Sequence, residues 1–571
     1  MAFRILTITL LCTLATSIGG ALEIGQPVGE LNFKDIRYIP RSLADFGPRE
    51  AFVIGFSQLA GKEHGPLAES LATLQGEVSK QSVEVALMNV GVSDTTLSIA
   101  HDGILRDLPF TLLRDLGESA AGLGAKTMGT VVILDENHTL RYRGDMAGAR
   151  AALKALLANS AIDEPERAVE GAPITAMSAP AAKGNINYNE HIAGILDTHC
   201  VSCHRPGQGA PFSLRNYRQA ATRADMITEV VLEERMPPWY GVRSHGPFAN
   251  ERLVSPAEKN LLRQWVAAGK PEGDPALRPE APEFPDSEWA IGEPDLVITM
   301  AEEQSIPAEG YIPYRYITLP YQFSDDTWIQ GLEILPSNPE VVHHANLIYT
   351  QVGEGYSEKH NFLTGKVPGG SPVDLSAPVG MMIPKASVLT LQIHYVTTGQ
   401  PEKDRIRVGI RYARGTVIKQ THHQRIRPDE IKIPPGEAFH RMSAEETIGH
   451  NATVLALFSH LHLRGRDMTF FADYPDGKSE TLLTIPNYSF DWQLAYVYEP
   501  GQKRFPKGTK IRTVSHYDNS AFNPYNPDPT DEVRYGDQTY HEMNDGYIFY
   551  LDEDEFLNIK VDPKTGHAMA G

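Results

Sequence analysis

Two histidines separated by one residue lie in an alternating apolar stretch, TVLALFSHLHLRGR at Thr453–Arg466. This alternation predicts a β-strand, in which residues i and i+2 point to the same face. His460 and His462 would then project together from one side, and the other side would carry Leu455, Leu457, Leu461 and Leu463. Two imidazoles on one face form either a bidentate metal clip or a pair of hydrogen-bonded surface histidines. This stretch alone leaves both interpretations open.

The chain has 571 residues, which is too long for one hydrophobic core and predicts several domains. Its formal charge of −20 argues against nucleic acid or an anionic membrane as a partner, because both would be repelled. Residues 1–21 combine one arginine, a short apolar run and a small-residue end, which is typical of a secretory signal peptide. We therefore expect an exported protein, in the bacterial periplasm or secreted. No later segment is apolar enough to predict a membrane span.

Residues 22–160 predict an α/β domain, because short β-rich runs alternate with helical patterns. The stretch VVILDENHTLRYRG at Val131–Gly144 resembles the terminal hairpin of thioredoxin-like and peroxiredoxin-like proteins. Where those proteins carry a redox cysteine this chain reads FSQLAGKEHGP, and Thr127–Met128–Gly129 stands where a cis-proline is usual. Thiol–disulfide exchange requires a thiolate, so we interpret this domain as a scaffold or docking module without redox cysteines.

The chain has three cysteines, of which Cys12 falls in the signal peptide. The other two form Cys200-Val-Ser-Cys203-His204, and the C-x-x-C-H spacing is typical of covalently bound haem c. We therefore predict a small all-α cytochrome c domain at 185–275. A linker rich in Ala, Pro and Glu at 161–184 precedes it, and a proline-rich linker at 276–291 follows it.

His204 is the expected proximal haem ligand. Met236 is the expected distal ligand, because it lies in ERMPPWY, where the prolines end a helix and fix a loop. Met226 is expected to pack inside a helix. The alternatives that remain open for the distal position are His191, His199 and His245.

Beyond residue 292, short β-runs separated by Gly, Pro, Asn and Asp predict two antiparallel sandwich domains, at 292–405 and 406–555, followed by a tail at 556–571. These domains contain VVHHANLIY with His343 and His344, VLTLQIHYV with His394, and YHEMNDGYIFYL with Met543. Adjacent strand residues point to opposite faces, so His343 and His344 can share a metal only at a strand end or bulge, or through different ring nitrogens. Otherwise one of them is a core or supporting histidine.

The order His-His, single His, His-x-His, Met over two sandwich domains resembles the copper type II, ascorbate-dependent monooxygenases, the family of peptidylglycine α-hydroxylating and dopamine β-monooxygenases. The resemblance covers nearly half of the chain, from about 292 to 555. It implies an electron-transfer copper at His343, His344 and His394. It also implies an oxygen-binding copper at His460, His462 and Met543, where a thioether favours Cu(I).

The chain departs from this family in residues that hold the substrate. Phe458 stands where the peptide-processing relatives carry an arginine for the substrate carboxylate, and Asp545 replaces an asparagine, whereas Tyr547 matches their tyrosine. We therefore expect an anionic substrate to be disfavoured. Tyr547 and His516 are the candidate catalytic residues. His516 either supports the second copper site through hydrogen bonds or stabilises a turn.

The resulting hypothesis is a monooxygenase that inserts one oxygen atom of O2 into a substrate C–H bond. Two coppers and one haem c would be its cofactors. Its substrate would be a small molecule or peptide, and its external electron donor an ascorbate-like reductant or a redox protein. Two alternatives remain open: an electron-transfer or copper-binding protein without hydroxylase activity, and a sandwich pair that binds no copper.

Overall fold

The structure, a computed structural model, describes residues 22–115, 117–175, 185–284, 287–351, 353–354 and 361–569. The predicted signal peptide at 1–21 lies outside the described residues, as do 176–184 of the first predicted linker and the last two residues of the tail. The chain divides into two compact units. The first takes in the described residues of Met1–Asp94 and Leu108–Met177, and the second takes in those of Thr95–Asp107 and Ser178–Gly571.

The first unit is built on a seven-stranded mixed sheet. Its strands are β1 (Phe33–Asp35), β2 (Pro40–Arg41), β3 (Ala51–Ser57), β4 (Val83–Asn89), β5 (Thr111–Arg114), β6 (Val131–Asp135) and β7 (Leu140–Gly144). The helices in this part of the chain are α1 (His64–Glu77), α2 (Thr96–Leu105), α3 (Glu118–Gly122), α4 (Met146–Leu157) and a 3₁₀ turn at Leu43–Phe46. By its contacts, α2 belongs to the second unit.

The strands of this sheet follow the order β2-β1-β5-β4-β3-β6-β7. The neighbours β3, β4 and β5 are parallel, whereas β6 and β7 form the antiparallel terminal hairpin. Every residue of the central strand β3 is buried, as expected of a strand covered on both faces. This arrangement confirms the predicted α/β class and is thioredoxin-like. Where a redox cysteine was sought after β3, the Ser57 hydroxyl and His64 Nδ1 are hydrogen-bonded at 2.9 Å.

Residues 161–175 were predicted as linker, but in the structure their backbone is paired with the first unit. The Met128 N–H donates to the Ala172 carbonyl at 2.8 Å, and the Arg167 N–H donates to the Arg143 carbonyl at 2.9 Å. The Pro and Ala content that suggested a linker therefore reflects an edge segment, because such residues are tolerated where one side of the chain has no strand partner.

The region after residue 185 is helical. It contains a π-helical turn at Tyr188–Ile192, the helices α5 (Ala193–His199), α6 (Tyr217–Thr222), α7 (Ala224–Leu232) and α8 (Pro256–Ala267), and a 3₁₀ turn at Pro275–Leu277. These elements share a core centred on Ile192, Leu196 and the fully buried Trp265. Among the described residues no helix is long and apolar enough to cross a membrane.

A sandwich of two sheets follows. Its strands are β8 (Leu296–Thr299), β9 (Gln304–Ile306), β10 (Arg315–Gln322), β11 (Thr327–Leu335), β12 (Val342–Gln351), β13 (Phe362–Lys366), β14 (Val373–Asp374), β15 (Val379–Ile383), β16 (Ser387–Tyr395), β17 (Glu402–Asp404), β18 (Arg407–Tyr412), β19 (Thr416–Val417) and β20 (Lys419–Gln420). One sheet has the order β10-β16-β12-β13 and the other β20-β15-β11-β18-β8. All pairs are antiparallel except β15 with β20.

Both ends of this sandwich differ from the predicted boundaries. β18 pairs with β11 and β8, so the first sandwich extends past residue 405. Trp289 and Ile291, at the end of the predicted linker 276–291, are buried. The Glu333 carboxylate accepts the N–H of Ile291 at 3.2 Å. Both errors arise because the partners that hold these segments lie far away in sequence.

The second sandwich contains β21 (His422–Ile426), β22 (Lys432–Ile433), β23 (His440–Thr447), β24 (Ala452–Leu461), β25 (Gly465–Asp473), β26 (Ser479–Ile485), β27 (Ala495–Val497), β28 (Lys503–Phe505), β29 (Lys510–Tyr517), β30 (Val533–Arg534) and β31 (Asn544–Asp552). Its sheets have the orders β21-β31-β24-β27 and β23-β29-β25-β26. The core between them includes Leu457, Phe470 and Ile548, and it also takes in Trp239 and Phe248 from the loop that follows α7.

The predicted tail is also packed. Its strand β32 (Ile559–Lys560) pairs with β19, and Val561 joins a small core cluster with Trp328 and Val417. The Trp328 N–H donates to the Gly566 carbonyl at 2.8 Å. The described part of the tail therefore returns to the first sandwich, because it carries apolar residues that the sandwich buries.

Candidate metal centre

Three histidines converge at one end of the first sandwich. His344 and His394 are directly paired across the neighbouring strands β12 and β16, and the pairing shifts register between Val342 and His344. This irregularity at His343 is the bulge that two adjacent histidines require in order to face one site. One ring nitrogen from each of the three histidines lies within 4.8 Å of the other two.

The ring nitrogens of this cluster fit a metal ion. His343 and His344 bring their Nδ1 atoms to 3.1 Å from each other, and the buried Nδ1 of His394 has no hydrogen-bond partner. Burial lowers the pKa of His344 well below its usual value and lowers that of His394 to about 3. Neutral imidazoles offer lone pairs to a metal, and three nitrogen ligands suit copper in either oxidation state.

The second histidine pair lies at the end of β24. The ring centroids of His460 and His462 are 5.1 Å apart. The Nδ1 of His460 is 2.6 Å from Gln493 Oε1, and the Nδ1 of His462 is 3.3 Å from the His541 carbonyl. Each Nδ1 can donate to its oxygen partner, which leaves Nε2 of both rings available to a metal ion.

The leucines expected behind this pair are only partly in the core. Leu457 and Leu461 are fully buried as predicted, whereas Leu455 and Leu463 are half-buried. The alternation is not continuous, because β24 shifts register between Val454 and Ala456. Leu463 lies after the end of β24, so the alternation of the strand does not apply to it.

Met543 lies at the same end of the sheet as His462, because it precedes Asn544, which pairs with Leu461. Its side chain is buried. The preceding Glu542 is fully buried, and its carboxylate accepts backbone N–H groups from His462 at 2.9 Å, from Arg464 at 2.7 Å and from Met543 at 3.2 Å. Burial raises the pKa of Glu542 to about 7. Glu542 thus ties the two ligand-bearing segments together, a role that no sequence pattern indicated.

Charged and aromatic side chains lie beside His460 on β24 and its neighbouring strands. The buried Asp545 is cross-strand from His460, and it lies 3.8 Å from Arg425 Nη1 and 3.7 Å from Arg427 Nε. The ring of Tyr547 is 6.0 Å from that of Phe458. Two guanidinium groups beside one carboxylate leave a net positive charge. The two arginines lie on β21 and just after it. The expectation that an anionic substrate is disfavoured stays a prediction.

His516 does not join the two histidine sets. It lies on β29, in the opposite sheet of the second sandwich from His460 and His462. Its Nδ1 is 2.7 Å from the Asp467 carboxylate, and Asp467 is its cross-strand partner. This contact engages the His516 ring between two strands of its own sheet, rather than in a turn.

The two histidine sets are neighbours across one aromatic ring. Phe490 stacks on His343 with a centroid distance of 5.2 Å and an interplanar angle of 13°. The same ring is 6.2 Å from His462. Sequence reasoning missed Phe490, because it stands in a loop whose composition, NYSFDWQ, has no periodicity that would single it out.

The C-x-x-C-H motif follows α5. Cys200 is half-buried and Cys203 is exposed, and both are free thiols. The Nδ1 of His204 is 3.1 Å from the Phe212 carbonyl, which leaves Nε2 for an iron atom. Burial lowers the pKa of His204. These features fit attachment of haem, since the thiols are unpaired and the imidazole is held through its other nitrogen.

The candidates for the distal position differ in their exposure and contacts. Met236 is half-buried in the loop after α7, whereas Met226 is 43% exposed on α7 and does not pack inside the helical core as expected. His199 Nε2 is 3.0 Å from Glu258, His191 Nδ1 is 3.4 Å from the Asn187 N–H, and the His245 ring is 6.0 Å from that of His101. His199 thus has its Nε2 engaged, whereas the contact of His191 is at Nδ1 and that of His245 is between rings. Met236 stays the predicted distal ligand.

No protein-family profile matches the chain, and no curated protein matches it. Among solved structures, peroxidoxin BcpB from Mycobacterium tuberculosis is 19% identical over 24% of this chain and 97% of its own, with a TM-score of 0.21. An uncharacterized conserved protein from Geobacillus kaustophilus is 19% identical over 28% of this chain and 95% of its own, with a TM-score of 0.26. A thioredoxin-like protein from Aeropyrum pernix is 13% identical over 23% of this chain and 89% of its own, with a TM-score of 0.20.

Proposed function

We propose that this chain is an exported, copper-dependent monooxygenase that inserts one oxygen atom of O2 into a substrate C–H bond and receives electrons through an attached haem c. The observation that supports this proposal is the position of Phe490 against both histidine sets, 5.2 Å from His343 and 6.2 Å from His462. Inserting one oxygen atom and reducing the other to water consumes two electrons beyond those of the C–H bond. A single copper supplies one, so two neighbouring copper sites match the demand.

The two proposed copper sites differ in their ligands and therefore in their roles. His343, His344 and His394 would hold the electron-transfer copper, and His460, His462 and Met543 would hold the other, where the thioether favours the reduced state. When bound, the two coppers supply O2 activation and one electron each. The chain keeps His344 and His394 neutral through burial, so neither must lose a proton before it binds metal at neutral pH. Gln493 and the His541 carbonyl hold the rings of His460 and His462.

The substrate would lie on the face beside His460. Phe458 and Tyr547 provide apolar surface there, and Arg425 and Arg427 supply positive charge beside Asp545. This lining suits a small molecule or peptide with an apolar part next to the reacting carbon. Met543 and His462 are buried, which limits the access of water to the reacting end.

The haem would be attached at Cys200 and Cys203, with His204 and Met236 as axial ligands. His/Met ligation gives a comparatively high potential, which allows the haem to accept electrons from an ascorbate-like reductant or a redox protein. The free thiols and the orientation of His204 support this assignment.

Metal analysis combined with oxygen uptake tests the proposal. Protein matured with haem and copper should contain two coppers and one haem per chain, and it should consume O2 in step with product when a reduced donor is supplied. His394→Ala and His462→Ala should each lose one copper and stop substrate-dependent O2 consumption. His422→Gln is the matched control, because His422 contacts Glu555 and Tyr550 rather than either cluster.

Two outcomes would contradict the proposal. If His394→Ala and His462→Ala retain as much copper as the unmodified protein, or leave its oxygen uptake unchanged, the two assigned copper sites are wrong. Binding of copper and haem without O2 consumption, across the panel of donors, would instead indicate an electron-transfer or copper-binding protein.

A further inference from the structure

Residues 488–493 lie in the connection between β26 and β27 and contact both histidine sets. We name them the bridging loop. Tyr488 starts the loop, and its hydroxyl donates to the Leu461 carbonyl at 2.8 Å and accepts the Leu461 N–H at 3.1 Å. Leu461 stands between His460 and His462. The N–H and the carbonyl of Leu461 are therefore both hydrogen-bonded to the Tyr488 side chain.

The middle of the bridging loop holds the three-histidine cluster. The Asp491 carboxylate lies 3.0 Å from His343 Nε2, and Phe490 stacks on the same imidazole. The His343 ring is thus fixed on its face and at one nitrogen, with Nδ1 turned to His344. The Phe490 centroid is also 5.9 Å from that of His394.

The end of the bridging loop holds the second set. Gln493 is buried, and its Oε1 lies 2.6 Å from His460 Nδ1. The other end of the same amide donates from Nε2 to the Phe490 carbonyl at 3.1 Å. One side-chain amide therefore connects the His460 ring to the backbone of the residue that stacks on His343.

The segment that follows α7 contacts the bridging loop. Tyr240, four residues after Met236, hydrogen-bonds with Ser489. Trp492 and Pro238 both pack at Gly369, where a Cβ would lie 3.4 Å from Trp492 and 3.5 Å from Pro238. The segment that follows the candidate haem ligand thus packs against the loop that touches both clusters.

We propose that the bridging loop is a shared positioning element that couples copper binding at the two centres, with Asp491 positioning His343, Gln493 positioning His460, and Phe490 as the connection between them. This inference rests on the proposed copper sites. Hydrogen-bond partners of metal ligands contribute about 10–100-fold to metal affinity. Because one loop supplies such a partner to each centre, filling one centre orders the loop and lowers the entropic cost of filling the other.

A copper titration of the full-length, metal-free chain tests the coupling. Cu(I) is delivered from a competing chelator, and the affinity of the His460 centre is measured with the other centre intact and with it removed by His394→Ala. Coupling predicts that the His460 centre binds at least about 5-fold more weakly in His394→Ala, at the lower end of typical coupling between sites. The Cu(II) form of each variant provides an EPR spectrum as a second readout.

Variants of the loop separate coupling from general destabilisation. In Phe490→Leu the effect of His394→Ala on the other centre should shrink toward none, whereas Phe471→Leu, a half-buried phenylalanine on β25, should retain it. Asp491→Ala should weaken the three-histidine centre about 10–100-fold, and Asp491→Asn, which keeps an acceptor oxygen, should restore part of the affinity. If Phe490→Leu does not fold, Gln493→Met replaces it, and the effect of His394→Ala on the copper affinity of the His460 centre should again shrink.

The failure of this inference differs from the failure of the proposed function. Equal affinity of the His460 centre with and without the three-histidine centre would overturn the coupling, even if both coppers bind and O2 is consumed. A chain that binds no copper at all would overturn both. Coupled copper binding without O2 consumption would support the role of the loop and would contradict only the proposed monooxygenase function.

Discussion

His344 and His394 face each other across β12 and β16, with their ring centroids 5.1 Å apart. Direct cross-strand partners are held by the backbone hydrogen bonds of the sheet, so their separation is set before any metal binds. Tyr314 packs on both rings, with centroids 5.5 Å from His344 and 5.1 Å from His394. The cluster is therefore preorganised. Burial lowers the pKa of both His344 and His394, so the folded protein loses stability in acid.

The first prediction concerns the pH dependence of stability in the metal-free protein. Burial lowers the pKa of His394 to about 3 from 6.5, so between these values the unfolded chain binds a proton that the folded chain does not. Stability is then fully present above pH 6.5 and falls as pH drops toward 3, by about 1.4 kcal/mol per pH unit for this residue. His394→Asn should flatten this slope. Denaturant unfolding of both proteins at pH 7.5 and pH 5 measures it, and parallel slopes would contradict the assignment.

The second prediction concerns Glu542. Glu542→Ala leaves three buried backbone N–H groups, those of His462, Arg464 and Met543, without their acceptor. Each buried unsatisfied donor costs about 1–3 kcal/mol, so we expect a loss of roughly 3 kcal/mol or more in the free energy of unfolding. Glu542→Gln retains one acceptor oxygen and should lose less. Glu446→Ala, at an exposed position on β23, is the control and should change stability little.

Sequence reasoning could single out the histidines that converge in the structure, because strand alternation and short motifs are local. The need for a bulge at His343 could also be predicted, because adjacent residues on a regular strand point to opposite faces. Sequence reasoning could not find Asp491, which meets His343 from 148 positions away, because no local pattern encodes a contact between two sandwiches. The tail was misread similarly, since β32 is a strand only through its pairing with β19.

The third prediction concerns the haem. Thioether bonds at Cys200 and Cys203 should survive denaturation, so the unfolded protein should retain its haem stain, and Cys200→Ser with Cys203→Ser should lose it. Met236→Ala should abolish any methionine–iron charge-transfer band of the oxidised protein, whereas Met226→Ala should not, because Met226 is exposed on α7. An unchanged spectrum in Met236→Ala would move the distal assignment to another residue.

The last prediction concerns Met543. Its side chain is buried at the end of the sheet where His462 lies, and its backbone N–H is held by Glu542 at 3.2 Å. If its thioether is a copper ligand, Met543→His should keep the copper count at two per chain but favour Cu(II), because imidazole stabilises that state better than a thioether does. The potential of this copper should fall, and its reaction with O2 in the reduced state should slow. A redox titration followed by EPR and stopped-flow oxygen mixing measure these effects, with Met226→His as the control at an exposed site. An unchanged potential and an unchanged oxygen reaction would show that Met543 is not a ligand and that its burial serves packing alone.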